Sequence, residues 1–196
     1  MKKAFLALLL AGLTTNALAG VSGTAHDLSS ARVPTTTTDQ TCVFCHAPHN
    51  TNTGFTGAPL WNRATPGSTY TVYTSTTINQ TPSAPGVNSR TCLSCHDGSA
   101  DVSTVYNGGT PLDYNTGSQP VTGTANVGTD LRNDHPVGIT YPGAVANEFN
   151  ALPATLPLYS SLIECGTCHD PHSTTYVNFL RLSPAASALC TACHIK

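Results

Sequence analysis

The sequence contains few charged residues, one methionine and no long apolar run beyond its first residues. Charged side chains make up 9% of the 196 residues, whereas soluble proteins usually carry about 25%. Ten acidic residues outnumber eight basic ones, giving a formal net charge of −2. This balance argues against a nucleic-acid partner, because such proteins usually carry a basic surface. No stretch after Leu13 approaches the roughly 20 apolar residues that a membrane span requires, so we expect no transmembrane segment.

The first 19 residues have the pattern of a secretory signal peptide. Lys2 and Lys3 form a basic start, residues 4–13 are apolar, and Ala17-Leu18-Ala19 precedes Gly20. A basic segment, a short apolar segment and an A-x-A cleavage site are typical of exported proteins. We therefore predict a signal peptide over 1–19 and an exported mature chain.

One pentapeptide pattern, C-x-x-C-H, occurs four times and uses all eight cysteines. It is the attachment motif of c-type haem. Two thiols three positions apart can form thioethers with one haem, and the next histidine can bind the iron as its proximal ligand. We predict four covalently attached haem c groups, numbered 1 to 4 in chain order. The predicted covalent residues are Cys42, Cys45, Cys92, Cys95, Cys165, Cys168, Cys190 and Cys193, and the predicted proximal ligands are His46, His96, His169 and His194.

Two other uses of paired cysteines compete with this interpretation. Zinc sites commonly use four cysteine and histidine ligands, and an even cysteine count in an exported chain suits disulfides. Zinc does not require a histidine immediately after every second cysteine, and disulfides require no histidine. The repeated histidine therefore favours haem.

Four histidines lie outside the motifs, and four irons would each have one further axial position. Methionine ligation is excluded because Met1 falls in the predicted signal peptide. The simplest prediction is four bis-histidine haems, with no iron position left for a substrate. The predicted distal ligands are His26, His49, His135 and His172.

The pairing of distal histidines with haems can be predicted only in part. His49 lies too close to His46 in sequence to reach the other face of the same haem, so we expect it at haem 2. The same argument assigns His172 to haem 4. His26 and His135 then serve haems 1 and 3, either each in its own half or each in the preceding one. In the second case His26 would bind a haem of another subunit, and such a head-to-tail contact builds an open filament.

The chain divides into two similar dihaem units. We predict an N-terminal arm over 20–41 that carries His26, a first dihaem unit over 42–96, a loop-rich connection over 97–134 and a second dihaem unit over 135–196. The expected fold class is mostly irregular coil with a few short helices and minimal strand, cored by the haems.

Three local elements are also expected in this irregular chain. The alternation of residues 70–73 indicates a short strand. Residues 176–182 are expected to be extended, and residues 187–194 to be helical.

Several stretches resemble a known family. CVFCHAPHN at 42–50, PLWN at 59–62, NDHPVG at 133–138, CHDPH at 168–172 and LC at 189–190 look like the doubled-CXXCH multihaem c-type cytochromes. Among them, the chain is most similar to the extracellular tetrahaem OmcE-type nanowire cytochromes. The resemblance implies electron transport outside the cell along a continuous haem stack.

The resemblance also implies partners. In filament-forming relatives an N-terminal histidine binds a haem of the adjacent subunit, and His26 occupies the matching position here. The resemblance thus implies a homopolymer that exchanges electrons with other redox cytochromes or extracellular acceptors.

These observations favour an electron carrier that is not an enzyme, located outside the cell or at its surface. A discrete periplasmic or surface shuttle is the first alternative. A multihaem oxyanion reductase is a second one, and it would require an iron with a vacant or displaceable ligand.

Overall fold

A computed structural model describes residues 20–33, 35–58, 60–107, 112–114 and 120–195 of the chain. The predicted signal peptide, residues 1–19, lies outside the described residues. Within them, no helix has the length and apolar character needed to cross a membrane.

Regular secondary structure is sparse among the described residues. The longest helix is α1, Val87–His96, with 10 residues. Helices α2, Cys165–Cys168, and α3, Ala188–Thr191, each span a single turn. Short 3-10 turns are formed by Thr41–Phe44, Gly123–Ala125, Val177–Phe179 and Ala185–Ser187.

All four C-x-x-C-H motifs coincide with helical turns. The second motif forms the end of α1, while α2 contains both cysteines of the third motif. The first motif lies on the 3-10 turn Thr41–Phe44, and the fourth begins within α3. Residues three apart in a helix are neighbours on one face, so α1 and α2 each present the two thiols of their motif on the same side.

The strands are short and form two separate antiparallel pairs. Strand β1, Thr104–Val105, pairs with β2, Leu112–Asp113. Strand β3, Ile139–Thr140, pairs with β4, Leu162–Ile163, in a register that sets Ile139 opposite Ile163. The expected fold class of coil, short helices and minimal strand is confirmed at this level.

Three of the local predictions can be compared with the structure. The helix expected over 187–194 is present as α3, although it is shorter. The extended segment expected over 176–182 is wrong, because a 3-10 turn with left-handed backbone at Asn178 lies there. The strand expected at 70–73 is reduced to one bridge between Thr71 and Asp130. Short segments in this chain follow long-range contacts rather than their own alternation.

Polar side chains outnumber apolar ones in the interior of the described residues. Eight hydrophobic residues are buried, against thirteen polar or charged ones. The buried apolar residues are Phe44, Ala47, Phe55, Leu93, Val105, Leu131, Leu156 and Ile163. The side chains alone therefore form only a small hydrophobic core, and polar contacts determine much of the local structure.

Candidate haem-binding centres

Side-chain contacts join the second and third motifs. The Glu164 carboxylate accepts hydrogen bonds from the backbone N–H groups of Gly86 (3.0 Å) and Ser89 (3.2 Å) at the start of α1. In return, Ser89 Oγ accepts from the backbone N–H of Cys165 (3.0 Å) at the start of α2. Glu164 is 1% exposed. These buried contacts fix the two haem-attachment helices against each other.

The thiols of successive motifs are neighbours in space. Burial and then the Cys95 thiol raise the pKa of Cys45 to about 12, which places the first motif beside the second. A hydrogen bond with Cys165 raises the pKa of Cys92, so the second motif also adjoins the third.

The same relationship continues to the last motif. Burial raises the pKa of Cys168 to about 11, and the nearby Cys193 thiol acts in the same direction. The four attachment sites therefore follow one another in space in their chain order.

Histidine rings form pairs that fit axial ligation of an iron. Metal–nitrogen bonds to histidine are about 2.0 Å long, so two imidazoles that bind one metal from opposite sides have centroids about 6 Å apart. Three pairs have separations of 6.0 to 6.3 Å: His26 with His96, His46 with His172, and His135 with His194. Each pair joins a predicted proximal ligand to a predicted distal one, which is the arrangement that a bis-histidine haem requires.

Hydrogen bonds at Nδ1 leave Nε2 of several rings available. In His96, Nδ1 lies 2.7 Å from the carbonyl oxygen of Ala125. In His169, Nδ1 lies 2.8 Å from the carbonyl oxygen of Asn178. A carbonyl partner at one ring nitrogen fixes the tautomer and leaves the other nitrogen to bind metal. The residues present therefore fit haem iron.

The half-buried His26 is held in its neutral form. Burial lowers its pKa from 6.5 to about 4, and the neighbouring His96, His172 and His169 contribute in the same direction. Phe179 packs on its ring with centroids 4.4 Å apart. A neutral imidazole is the form that binds a metal.

The first motif lines a cavity of about 720 Å³ that includes Cys42, His46 and His49. Cofactor and ligand sites commonly have volumes of about 300–1,000 Å³. Trp61 packs edge-on against His46, with centroids 5.9 Å apart. The space beside the proximal histidine is thus of the size that a cofactor needs.

His172 and His135 lie beside other proximal histidines than those expected from the sequence. His172 was expected at haem 4, but its ring stacks on His46 of the first motif. The ring that adjoins His194 is His135 instead. The expectation rested on closeness in sequence, whereas the fold packs residue 172 of the second half against the first motif.

His26 and His49 also differ from the expected pairing. His26 lies beside His96 of its own chain, in the place expected for His49. None of the ring pairs among the described residues includes His49 or His169. Among the described residues, three histidine pairs are therefore present, and His49 and His169 form no such pair.

The structure also bears on the two other uses of paired cysteines. All eight cysteines are free thiols. In the part of the chain that the structure describes, no three histidine, cysteine or acidic side chains converge into a metal cluster.

Sequence reasoning did not find the buried residues that connect the motifs. Glu164 and Ser89 join α1 to α2, and Arg63 together with its neighbour Asn62 joins the first two motifs through backbone carbonyl groups. No local pattern marks these side chains, because their partners lie far away in sequence. Their low exposure in the fold is the signal that identifies them.

Comparison with known families gives one match. Residues 161–196, which contain the third and fourth motifs, match the family model described as the doubled CXXCH motif. No curated protein matches the chain. The doubled motif, the eight cysteines and the paired histidine rings together support a multihaem c-type cytochrome involved in electron transfer.

Proposed function

We propose that the chain carries four haem c groups in a row and transfers electrons along them outside the cytoplasm. The observation that carries this proposal is the set of three histidine pairs with separations of 6.0 to 6.3 Å. The chain-order arrangement of the attachment thiols supports it, because neighbouring haems allow electrons to move from one to the next.

The proposed protein is a carrier and not an enzyme. In a bis-histidine haem both axial positions are occupied, so no iron offers a site to a substrate. The protein then acts through its axial ligands, hydrogen bonds and buried charges, which set the potential of each haem.

The two single histidines support assembly into a filament. His169 is the predicted proximal ligand of haem 3, and His49 is a predicted distal ligand that has no ring partner among the described residues. If His49 of one subunit binds haem 3 of the preceding subunit, all four irons of each subunit gain two ligands. The ring of His26 already lies beside that of His96 in the same chain, with centroids 6.0 Å apart. This position favours His49 over His26 as the ligand that links two subunits.

The relation between the two halves supports the same assignment. His172 follows the third motif and stacks on His46 of the first, so a histidine of the second half serves a haem of the first half. His49 has the same place after the first motif, and the equivalent target would be haem 3 of a preceding subunit. A contact of this head-to-tail kind repeats without closing and generates a filament.

A test begins with the mature protein produced in cells that attach c-type haem. We expect a mass that corresponds to four haems, low-spin spectra and thin filaments by electron microscopy. A mass with fewer haems would contradict the proposed cofactor content. Compact monomers with four low-spin haems would favour the discrete shuttle, and a high-spin haem that turns over an oxyanion would favour the reductase.

Two matched variants identify the residue that links subunits. His49→Ala should retain four haems, lose filaments and leave haem 3 high-spin. His26→Ala should make haem 2 high-spin and still polymerise. The reverse result, with filaments lost only in His26→Ala, would assign the link to His26 as the resemblance implies.

A further inference from the structure

Arg63 is a buried cation whose guanidinium is bound by backbone groups. It is 2% exposed. Its terminal nitrogens donate four hydrogen bonds, all to carbonyl oxygens: those of Ser94 (3.4 Å), Asp101 (2.5 Å), Val102 (2.8 Å) and Thr104 (2.7 Å). An arginine stays protonated at any accessible pH. The side chain therefore carries a permanent positive charge into the interior.

No carboxylate forms an ion pair with this charge. The ion pairs among the described residues involve Arg132, Arg181 and His172, but not Arg63. Arg181, near the third motif, is compensated by Asp170 at 3.2 Å. Arg63 Nε is buried and has no hydrogen-bond partner. Carbonyl oxygens satisfy the terminal N–H groups of Arg63 but do not neutralise its charge.

Arg63 lies between the first two haem-attachment motifs. The Nδ2 group of its neighbour Asn62 donates to the carbonyl oxygen of Val43 (2.7 Å). The backbone N–H of Asn62 donates to the carbonyl oxygen of Cys45 (2.8 Å). Arg63 itself reaches the Ser94 carbonyl of the second motif. This pair of residues thus connects motif 1 to motif 2.

We propose that Arg63 is a fixed internal cation that raises the reduction potentials of haems 1 and 2 above those of haems 3 and 4. This inference rests on the proposed binding of four haems. Reduction of a ferric haem adds one electron and removes one positive charge, so a nearby fixed cation favours the reduced state. In the interior this effect is strong, because the low dielectric screens a charge less than water does.

A buried group of the opposite sign lies at the third motif. Glu164, which precedes Cys165 in the sequence, is 1% exposed, and its carboxylate accepts hydrogen bonds from the backbone N–H groups of Gly86 and Ser89. Its negative charge favours the oxidised state of haem 3. Arg63 and Glu164 together give the haem row a direction, with electrons favoured in the first half of each subunit. The other buried carboxylates of that half, Asp27 and Asp97, have their negative charge stabilised by hydrogen bonds from the hydroxyl groups of Ser29, Ser68, Tyr70 and Ser99.

The experiment measures the potential of each haem in the four-haem protein by redox titration followed by NMR, with haem signals assigned individually. In the unmodified protein we expect haems 1 and 2 to be reduced before haems 3 and 4. The opposite order, or equal potentials, would overturn the proposal. A protein with fewer than four haems would instead contradict the proposed function.

Variants at position 63 separate the charge from the structural contacts. Arg63→Gln should lower the potentials of haems 1 and 2, with at least a tenfold change in the reduced-to-oxidised ratio at fixed potential, which is about 59 mV for one electron. Haems 3 and 4 should change less. Arg63→Lys keeps the charge and should retain most of the potential difference, even if Arg63→Gln fails to fold.

Arg132→Gln is the matched control. Arg132 carries the same charge, but its side chain is 59% exposed, so solvent and salt screen its field. We expect unchanged potentials at all four haems. Arg63→Gln with four haems and unchanged potentials at haems 1 and 2 would overturn the proposal. So would Arg63→Lys, if it lost the potential difference while retaining four haems.

Discussion

His46 and His172 lie with their rings stacked, 6.2 Å apart between centroids and 17° apart in orientation. One belongs to the first C-x-x-C-H motif and the other follows the third. Their separation leaves space for one iron at the place where haem 1 would bind, so a haem bound there would join the two halves of the chain.

Replacement of His172 tests this contact. We expect His172→Ala to retain four covalent haems, because the thioether-forming cysteines are unchanged, and to convert haem 1 from low-spin to high-spin. Electron paramagnetic resonance of the oxidised protein measures the spin state, and NMR identifies the haem. A high-spin haem 4 would instead show that His172 binds haem 4, as expected from sequence proximity.

Replacement of His135 tests the pair at haem 4. Its ring lies 6.3 Å from that of His194 between centroids. Methionine in place of a histidine ligand raises the potential of a haem, so His135→Met should raise the potential of haem 4 and leave the others close to their original values. Redox titration with assigned haem signals provides the measurement. A shift confined to haem 3 would contradict this pairing.

Glu164 should stabilise the junction of α1 and α2. Glu164→Ala leaves the N–H groups of Gly86 and Ser89 without their acceptor, and an unsatisfied buried donor costs about 1–3 kcal/mol. We expect a lower unfolding temperature, with a smaller loss in Glu164→Gln, whose amide oxygen can still accept. The unfolding transition followed by circular dichroism measures the effect. Equal losses in both variants would mean that the negative charge itself is required.

Gly138 is expected to tolerate no side chain. Its φ is +70°, and a Cβ atom would lie 2.6 Å from the Ser83 carbonyl oxygen. Gly143 also has a positive φ, +80°, but open space around its Cβ position, so Gly143→Ala introduces backbone strain without the clash. Gly138→Ala should therefore lower the unfolding temperature more than Gly143→Ala. A similar decrease in both variants would show that the backbone can move away from Ser83.

The local chemistry could be predicted because it lies within short segments. The cysteine spacing and the adjacent histidine indicate haem in each motif without knowledge of the fold, and the structure adds that every motif sits on a helical turn. The Gly-, Thr- and Asn-rich composition likewise predicted the loop-rich connection over 97–134. The ten-residue helix α1 was missed, since only its last five residues belong to a motif.

The sequence by itself determined the number and chemistry of the candidate sites, since the spacing of each thiol pair and its histidine is a local property. Only the tertiary structure decided which distant residues meet. His172 reaches His46, His26 reaches His96, and Arg63 enters the space between two motifs. These contacts join residues far apart along the chain, and they form only where packing and buried hydrogen bonds offset the entropy lost on ordering the backbone.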